Sequence, residues 1–346
     1  MRRLIPLIVA ALMASSLDAR PVIIAHRGAS GLRPEHTAAA YKLAIEQGAD
    51  FIEPDLVMTK DDVLVVRHEN EISGTTDVAD HPEFADRKTT KTIDGRTITG
   101  WFTEDFTLAE LKALRARERL PAMRPGNLRY ADERIQTFDE VLSIAKHAPR
   151  TVGVYPETKH PSYFASIGKP LEKPLLAALA RAGFTKRDDP VFIQSFEVSN
   201  LKALRALTPI RLVQLIDPEE APFDQQLAKT GLTPARMVSP EGLRTIATYA
   251  DAIGPYKLMI EPRDADGKAL SPTSLIADAH AAGLQVHPWT FRSENAFLPA
   301  GDQRGQGDAE RGNAAAEYRR FLGYGVDGLF SDYPGDAVAA LHAAGK

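Results

Sequence analysis

The stretch VIIAHRGASGLRPEHTAAAYKLAIEQGADFIEPDLV, residues 22–57, decides the fold. A short apolar run, Val22–Ala25, leads into a glycine-containing turn, a helical pattern at Thr37–Gln47, and a second apolar run at Phe51–Val57. Thr37 can cap the helix and Gly48 can end it, and the same closing glycine recurs at Gly183 and Gly283. A strand–helix–strand unit of this kind implies parallel strands with helices outside them.

The rhythm continues along the chain. Further strand-like runs fall at Val63–Arg67, Thr151–Glu157, Pro190–Phe196, Arg211–Ile216, Asp251–Ile253, Leu284–Pro288 and Val326–Ser331. Helical patterns alternate with them at Thr107–Arg115, Phe138–Lys146, Pro170–Ala182, Ser199–Ala206, Glu241–Tyr249, Pro272–Ala281, Ala314–Leu322 and Pro334–His342. About eight such units in one chain favour a TIM (β/α)8 barrel over an open doubly wound sheet. Two stretches break the pattern. His81–Phe106 reads as an insertion, and Asn295–Asn313, with its glycines and charges, reads as a mobile loop near the barrel's end.

Composition bounds the function. The chain has 346 residues, 42 Lys and Arg against 46 Asp and Glu, and a formal net charge of −4. No broad positive field is available to collect a nucleic-acid backbone. There are no cysteines, which excludes disulfides, thiolate catalysis and Cys-ligated metal centres. Residues 1–19 match a secretory signal peptide: Arg2 and Arg3, the apolar run Leu4–Ala14, and a small-residue site at Leu17-Asp18-Ala19. That run is shorter than the ~20 residues needed to span a bilayer. The expected product is a periplasmic or secreted protein without stable membrane insertion, its catalytic domain spanning residues 20–346. Oligomeric state is not legible.

Chemistry-bearing residues sit where strands end. His26 shares strand parity with Ile24 and so points inward at the mouth of a barrel. Glu53 and Asp55 form an acidic pair on one strand face, and two inward carboxylates need a cation, for which hard Ca2+ or Mg2+ ions suit oxygen ligands. Pro54 between them predicts a bulge or a break in pairing. His68 ends a short strand, and Glu157 with Lys159 shares one face of another. Taken singly, each also reads as a structural histidine or an ordinary salt bridge. Together with Arg27 they place two imidazoles, three carboxylates and two cations at neighbouring strand ends, which marks an active site. With a divalent ion the cluster carries a charge of about +1, suited to a singly charged phosphodiester.

The segments HRGASGLRPEHT, GADFIEPDLVMTKDDVLVVRHE and VYPETK resemble the signature blocks of the glycerophosphodiester phosphodiesterase family, above all its secreted or periplasmic bacterial members. Looser likeness runs through IQSF, LVQLI, ADAIGP, VHPWTFR and GLFSDYP. The resemblance implies a TIM barrel with an insertion after the second strand, at about residues 70–106. It implies that His26 and His68 are the acid–base pair and that Arg27 and Lys159 hold phosphate. Glu53, Asp55 and Glu157 would be the ligands of one Ca2+ or Mg2+ ion. The implied reaction frees an alcohol from a small glycerophosphodiester and leaves glycerol 3-phosphate. The family often has Asn where this chain has His36, and Glu69–Asp77 is expected to shape alcohol preference. Phe196 and Trp289, each following a strand, are candidate substrate contacts or core filler, and Gln194 shares the inward face with Phe196.

Two rivals belong to other classes. One is a phospholipase D-like or phospholipase C-like enzyme on intact lysolipids, with Trp101, Phe102 and Phe106 forming an acyl groove. The other is a secreted binding protein without turnover, which should lack one or more of the groups present here.

Overall fold

The computed structural model describes residues 20–345; segment 1–19, where a signal peptide is expected, lies outside them. The strands, in chain order, are β1 (Val22–His26), β2 (Phe51–Glu53), β3 (Asp55–Met58), β4 (Leu64–Val66), β5 (Thr89–Ile93), β6 (Arg96–Gly100), β7 (Gly153–Val154), β8 (Glu157–Thr158), β9 (Phe192–Ser195), β10 (Arg211–Ile216), β11 (Ala252–Pro255), β12 (Gln285–Val286) and β13 (Gly328–Ser331). β1 pairs in parallel with β13 and β2, and β2 with β7. On the other side, β3, β8, β9, β10, β11 and β12 follow one another in parallel. The ring closes where the Asp327 and Phe330 amides donate to the Val286 and Pro288 carbonyls, both at 3.0 Å. β2 with β3, and β7 with β8, are halves of single staves, so a (β/α)8 barrel results.

Proline interrupts both split staves. Pro54 carries no amide proton, so pairing lapses between Glu53 and Asp55, yet its carbonyl still accepts from the Glu157 amide at 2.9 Å. The expected break is there. The strand expected at Val63–Arg67 is not a barrel stave, however. β4 runs antiparallel to β3, with Leu56 opposite Val66, so the two form a hairpin that rises from the barrel and returns. A short turn at Lys60-Asp61-Asp62 permits only the antiparallel return, because a parallel partner needs a long crossover.

Side chains two apart line the barrel interior. Ile24, Phe51, Tyr155, Phe192, Val213 and Phe330 are buried there, and the Tyr155 ring lies 5.1 Å from Phe192 and 5.0 Å from Phe330. The alternate positions, such as Ile23, Ala25 and Ile52, face the outer helices. Those helices fall close to the expected ranges. Thr37 caps Ala38–Glu46 by accepting from the Ala40 amide, and Thr107 and Thr137 each form a capping box with a glutamate three residues on.

The expected insertion is partly regular. β5 and β6 pair as an antiparallel hairpin, and Trp101, Phe102 and Phe106 are buried beneath it. The Trp101 indole donates to the Phe84 carbonyl at 2.6 Å, and Phe106 packs edge-on against Phe84. These aromatics form core and do not line an acyl groove. The Asn295–Asn313 stretch is tied by hydrogen bonds: the buried Asn295 amide nitrogen reaches the Gly307 carbonyl at 2.9 Å.

Phe192→Ala should therefore cost about 3–5 kcal/mol of stability through the cavity it opens. The exposed Leu207→Ser should cost no more than about 0.5 kcal/mol. Urea denaturation of both variants checks this, and equal midpoints would contradict the aromatic interior.

Candidate active site

Strand register assembles the site. His26 lies opposite Glu53, Asp55 opposite Glu157, and Glu157 opposite Gln194, all at the carboxyl ends of neighbouring staves. Glu53, Asp55 and Glu157 each offer an oxygen within 4.8 Å of the others, and all three are buried. The β3–β4 hairpin adds the last member. Its return leg carries the Arg67 amide to the Asp55 carbonyl at 3.0 Å, and His68 follows at the mouth.

Each acid has a distinct set of partners. Glu53 accepts from the Arg27 backbone amide at 2.7 Å and from Gln194 Nε2 at 3.1 Å. Glu157 accepts from Lys159 Nζ at 2.8 Å. Asp55 Oδ2 faces His36 Nε2 at 2.9 Å and Arg27 Nε at 3.3 Å, whereas Asp55 Oδ1 is buried without a hydrogen-bond partner. Such an oxygen is costly unless something else satisfies it. Burial, then Asp55 and Glu157, push the Glu53 carboxyl well above its usual range. Burial and Asp55 likewise raise Glu157 to about 8, against the pull of Lys159. At Asp55 burial is outweighed by Lys159, His68 and His36, which hold it well below the carboxylate range. Three buried carboxylates at this spacing, with one Asp55 oxygen lacking a hydrogen-bond partner, fit a hard divalent cation.

The cations are held as firmly. Arg27 adopts a left-handed backbone (φ 59°) and donates from Nη1 to Glu35 at 3.0 Å, while its buried Nε has no hydrogen-bond partner. The following Gly28 (φ 85°) packs so closely that a Cβ there would meet the Ala40 backbone at 2.7 Å. Burial would lower the Lys159 pKa, but Glu157 and Asp55 raise it, so the ammonium persists.

Both histidines are neutral. Nδ1 of His26 pairs with Asp332 at 2.6 Å, and Nδ1 of His68 with Glu69 at 2.5 Å. Carboxylate partners assign the proton to Nδ1 in each ring and leave Nε2 as the base. Lys159 Nζ lies 3.2 Å from His68 Nε2, in keeping with that assignment. Burial and then Arg27 lower His26 to about 4, and burial, Arg27 and Lys159 lower His68 to about 3.

A cleft of about 650 Å3 opens onto Arg27, His68, Glu157, Lys159, Phe196 and Trp289. The Phe196 and Trp289 rings meet edge-on at 5.8 Å, and Lys159 Nζ sits 5.7 Å from the Phe196 centroid. His26, Glu53 and Asp55 do not line that cleft; His26 stands opposite Glu53 in strand register and is held by Asp332. Sequence reasoning misses several residues beside the site: Glu35, Glu69 as a histidine partner, Asp332, Arg119 and Arg124. Asp332 carries a usable signal, since it continues the inward parity of Phe330. The arginines carry none.

Residues 26–336 match the model of the glycerophosphoryl diester phosphodiesterase family. The chain is similar to the glycerophosphodiester phosphodiesterase GDPD6 of Arabidopsis thaliana, 40% identical over 335 residues, covering 91% of this chain and 84% of that protein. A glycerophosphodiester phosphodiesterase of Haemophilus influenzae is 30% identical over 344 residues, covering 92% and 89%. Among solved structures, the phosphodiesterase of Oleispira antarctica in complex with the product sn-glycerol-3-phosphate superposes with a TM-score of 0.61 at 20% identity, covering 93% of this chain and 97% of that one. The chain belongs to the glycerophosphoryl diester phosphodiesterase family, a family of phosphodiester hydrolases.

Proposed function

We propose that this chain hydrolyses small glycerophosphodiesters to glycerol 3-phosphate and an alcohol, using one divalent cation, Ca2+ or Mg2+. The reading rests on one observation above all. Three buried carboxylates converge within 4.8 Å, Asp55 Oδ1 has no hydrogen-bond partner, and beside them lies Arg27, whose Nε makes no hydrogen bond and only a 3.3 Å ion-pair contact with Asp55 Oδ2. One feature suits a divalent cation, the other a phosphate oxygen.

Glu53, Asp55 and Glu157 would hold the cation, which supplies a Lewis acid to polarise a phosphoryl oxygen. Arg27 Nε and Lys159 Nζ grip the remaining charge of the phosphodiester. Nε2 of His26, and Nε2 of His68, which accepts from Lys159 at 3.2 Å in the free site, are the lone pairs that can take a proton from the attacking hydroxyl. The bound anion favours protonation of the imidazole nearer the leaving oxygen, which then protonates the departing alkoxide. Phe196 and Trp289 wall the cleft where the leaving alcohol would lie. Residues 1–19 support export to the periplasm or medium. Among the described residues no helix is long and apolar enough to cross a membrane.

Chelation should abolish release of glycerol 3-phosphate, and Ca2+ or Mg2+ should restore it; full turnover in EDTA would contradict the proposed ion. Because burial and the neighbouring carboxylates raise both Glu157 and Glu53 in the metal-free site, cation binding at pH 7 should expel a proton. Apparent affinity should then rise from pH 6 to pH 8.5, as calorimetry in buffers of different ionisation enthalpy would show, and a flat profile would count against this pair of carboxyls. His26→Ala and His68→Ala should each lower kcat by at least ~10²-fold. Near-normal turnover in either variant removes that histidine from the chemistry.

A further inference from the structure

We infer that one irregular segment, residues 118–124, is a positioning clamp for both histidines through Arg119 and Arg124; this rests on the acid–base reading above. The segment lies between the helix Leu108–Ala113 and the turn Pro125–Tyr130 and belongs to no barrel stave. Its two arginines point to different halves of the site.

Arg119 grips two carboxylates at once. It donates from Nη1 and Nη2 to Glu69 at 3.0 and 2.6 Å, and from Nε and Nη2 to Glu35 at 2.9 and 2.7 Å. Glu69 holds His68 Nδ1, and Glu35 holds Arg27 Nη1. Arg124 does the same for the other half. Its Nη2 donates to Asp332 at 2.6 Å, its Nε to Glu294 at 2.7 Å, and its Nη1 to the Ser30 carbonyl at 3.1 Å. Asp332 Oδ1 holds His26 Nδ1, and Arg292 Nε donates at 2.9 Å to Oδ2, the oxygen that Arg124 grips. His26, His68 and Arg27 are thus each one carboxylate away from the same short segment.

The segment is itself locked. Glu118 accepts from the Leu120 amide at 2.8 Å and from Asn127 Nδ2 at 2.6 Å, and the Arg124 amide donates to the Leu120 carbonyl at 2.8 Å. Arg117 ties it to the Thr75 carbonyl at 2.8 Å. Stability alone is a poor account of the arrangement. The Arg124, Glu294 and Asp332 side chains are only 6%, 1% and 3% exposed, and buried ion pairs rarely outperform apolar residues of similar volume. What the fork of a guanidinium supplies is direction, because it fixes two acceptors in one plane as an ammonium cannot.

The test is Arg119→Lys and Arg124→Lys, which keep the charge and lose the fork, assayed in the full chain with the metal that restores activity. Substrates are glycerophosphocholine and the p-nitrophenyl ester of glycerol 3-phosphate, whose leaving group needs no proton. Arg124→Lys should lower kcat about 100-fold with KM unchanged, the cost of a misplaced catalytic group. Arg119→Lys should lower kcat and raise KM, because it also releases Arg27. In one of the two variants, the one serving the acid, the nitrophenyl ester should be nearly spared. Wild-type kinetics in both, or equal losses on both substrates that track a fall in folded protein, overturn the clamp. Undiminished turnover in His26→Ala and His68→Ala would instead overturn the acid–base reading beneath it.

Discussion

Three carboxylates packed into one buried space set the terms for everything around them. Glu53 and Asp55 are 1% exposed and Glu157 6%. Like charges about 4 Å apart repel by about 4 kcal/mol at an effective dielectric of 20, and burial adds its own penalty for each ionised group. The chain answers with Arg27 and Lys159 in contact and with carboxyl groups that resist ionisation. Those same cations then act on the imidazoles. Burial first, and then Arg27, depresses both histidines, Lys159 adds to the effect at His68, and the rings stand neutral as bases. A metal pocket, an anion grip and a pair of bases are therefore consequences of one crowding of charge.

The barrel makes that crowding possible at a tolerable cost in stability. A stave interrupted at Pro54 lets Glu53 pair with the His26 side of the ring and Asp55 with the Glu157 side. The hairpin of β3 and β4 brings His68 back to the mouth without using a stave. Below, the interlocked rings of Phe51, Tyr155, Phe192 and Phe330 form a rigid floor. His26, Glu53, Asp55 and Glu157 stand on regular strands, Arg27, His68 and Lys159 lie just beyond them, and less regular chain supplies the supports.

Strand periodicity explains what is legible in the sequence. His26, Glu53, Asp55, Glu157 and Lys159 all lie on or just beyond strands whose period of two sets their direction, so residue order alone points to their convergence. Asp332 obeys the same parity yet is easily passed over, since an acid before Tyr-Pro and a helical run also reads as helix-start chemistry. β4 reads as a stave because an apolar run carries no sign of its direction. Arg119 and Arg124 are beyond reach for a different reason. Their partners lie up to 208 residues away, in a stretch with neither helical nor strand period, and such pairings exist only once the barrel has closed.

Calorimetric titration of Ca2+ and Mg2+ into the intact chain and into Asp55→Asn tests the central claim most directly. The account predicts one cation per wild-type chain. In the variant, affinity should fall at least ~100-fold while the melting temperature of the metal-free protein stays close to that of the wild type. Equal affinities in the two proteins would show that the ion, if any, sits elsewhere, and the site built around Asp55 Oδ1 would have to be abandoned.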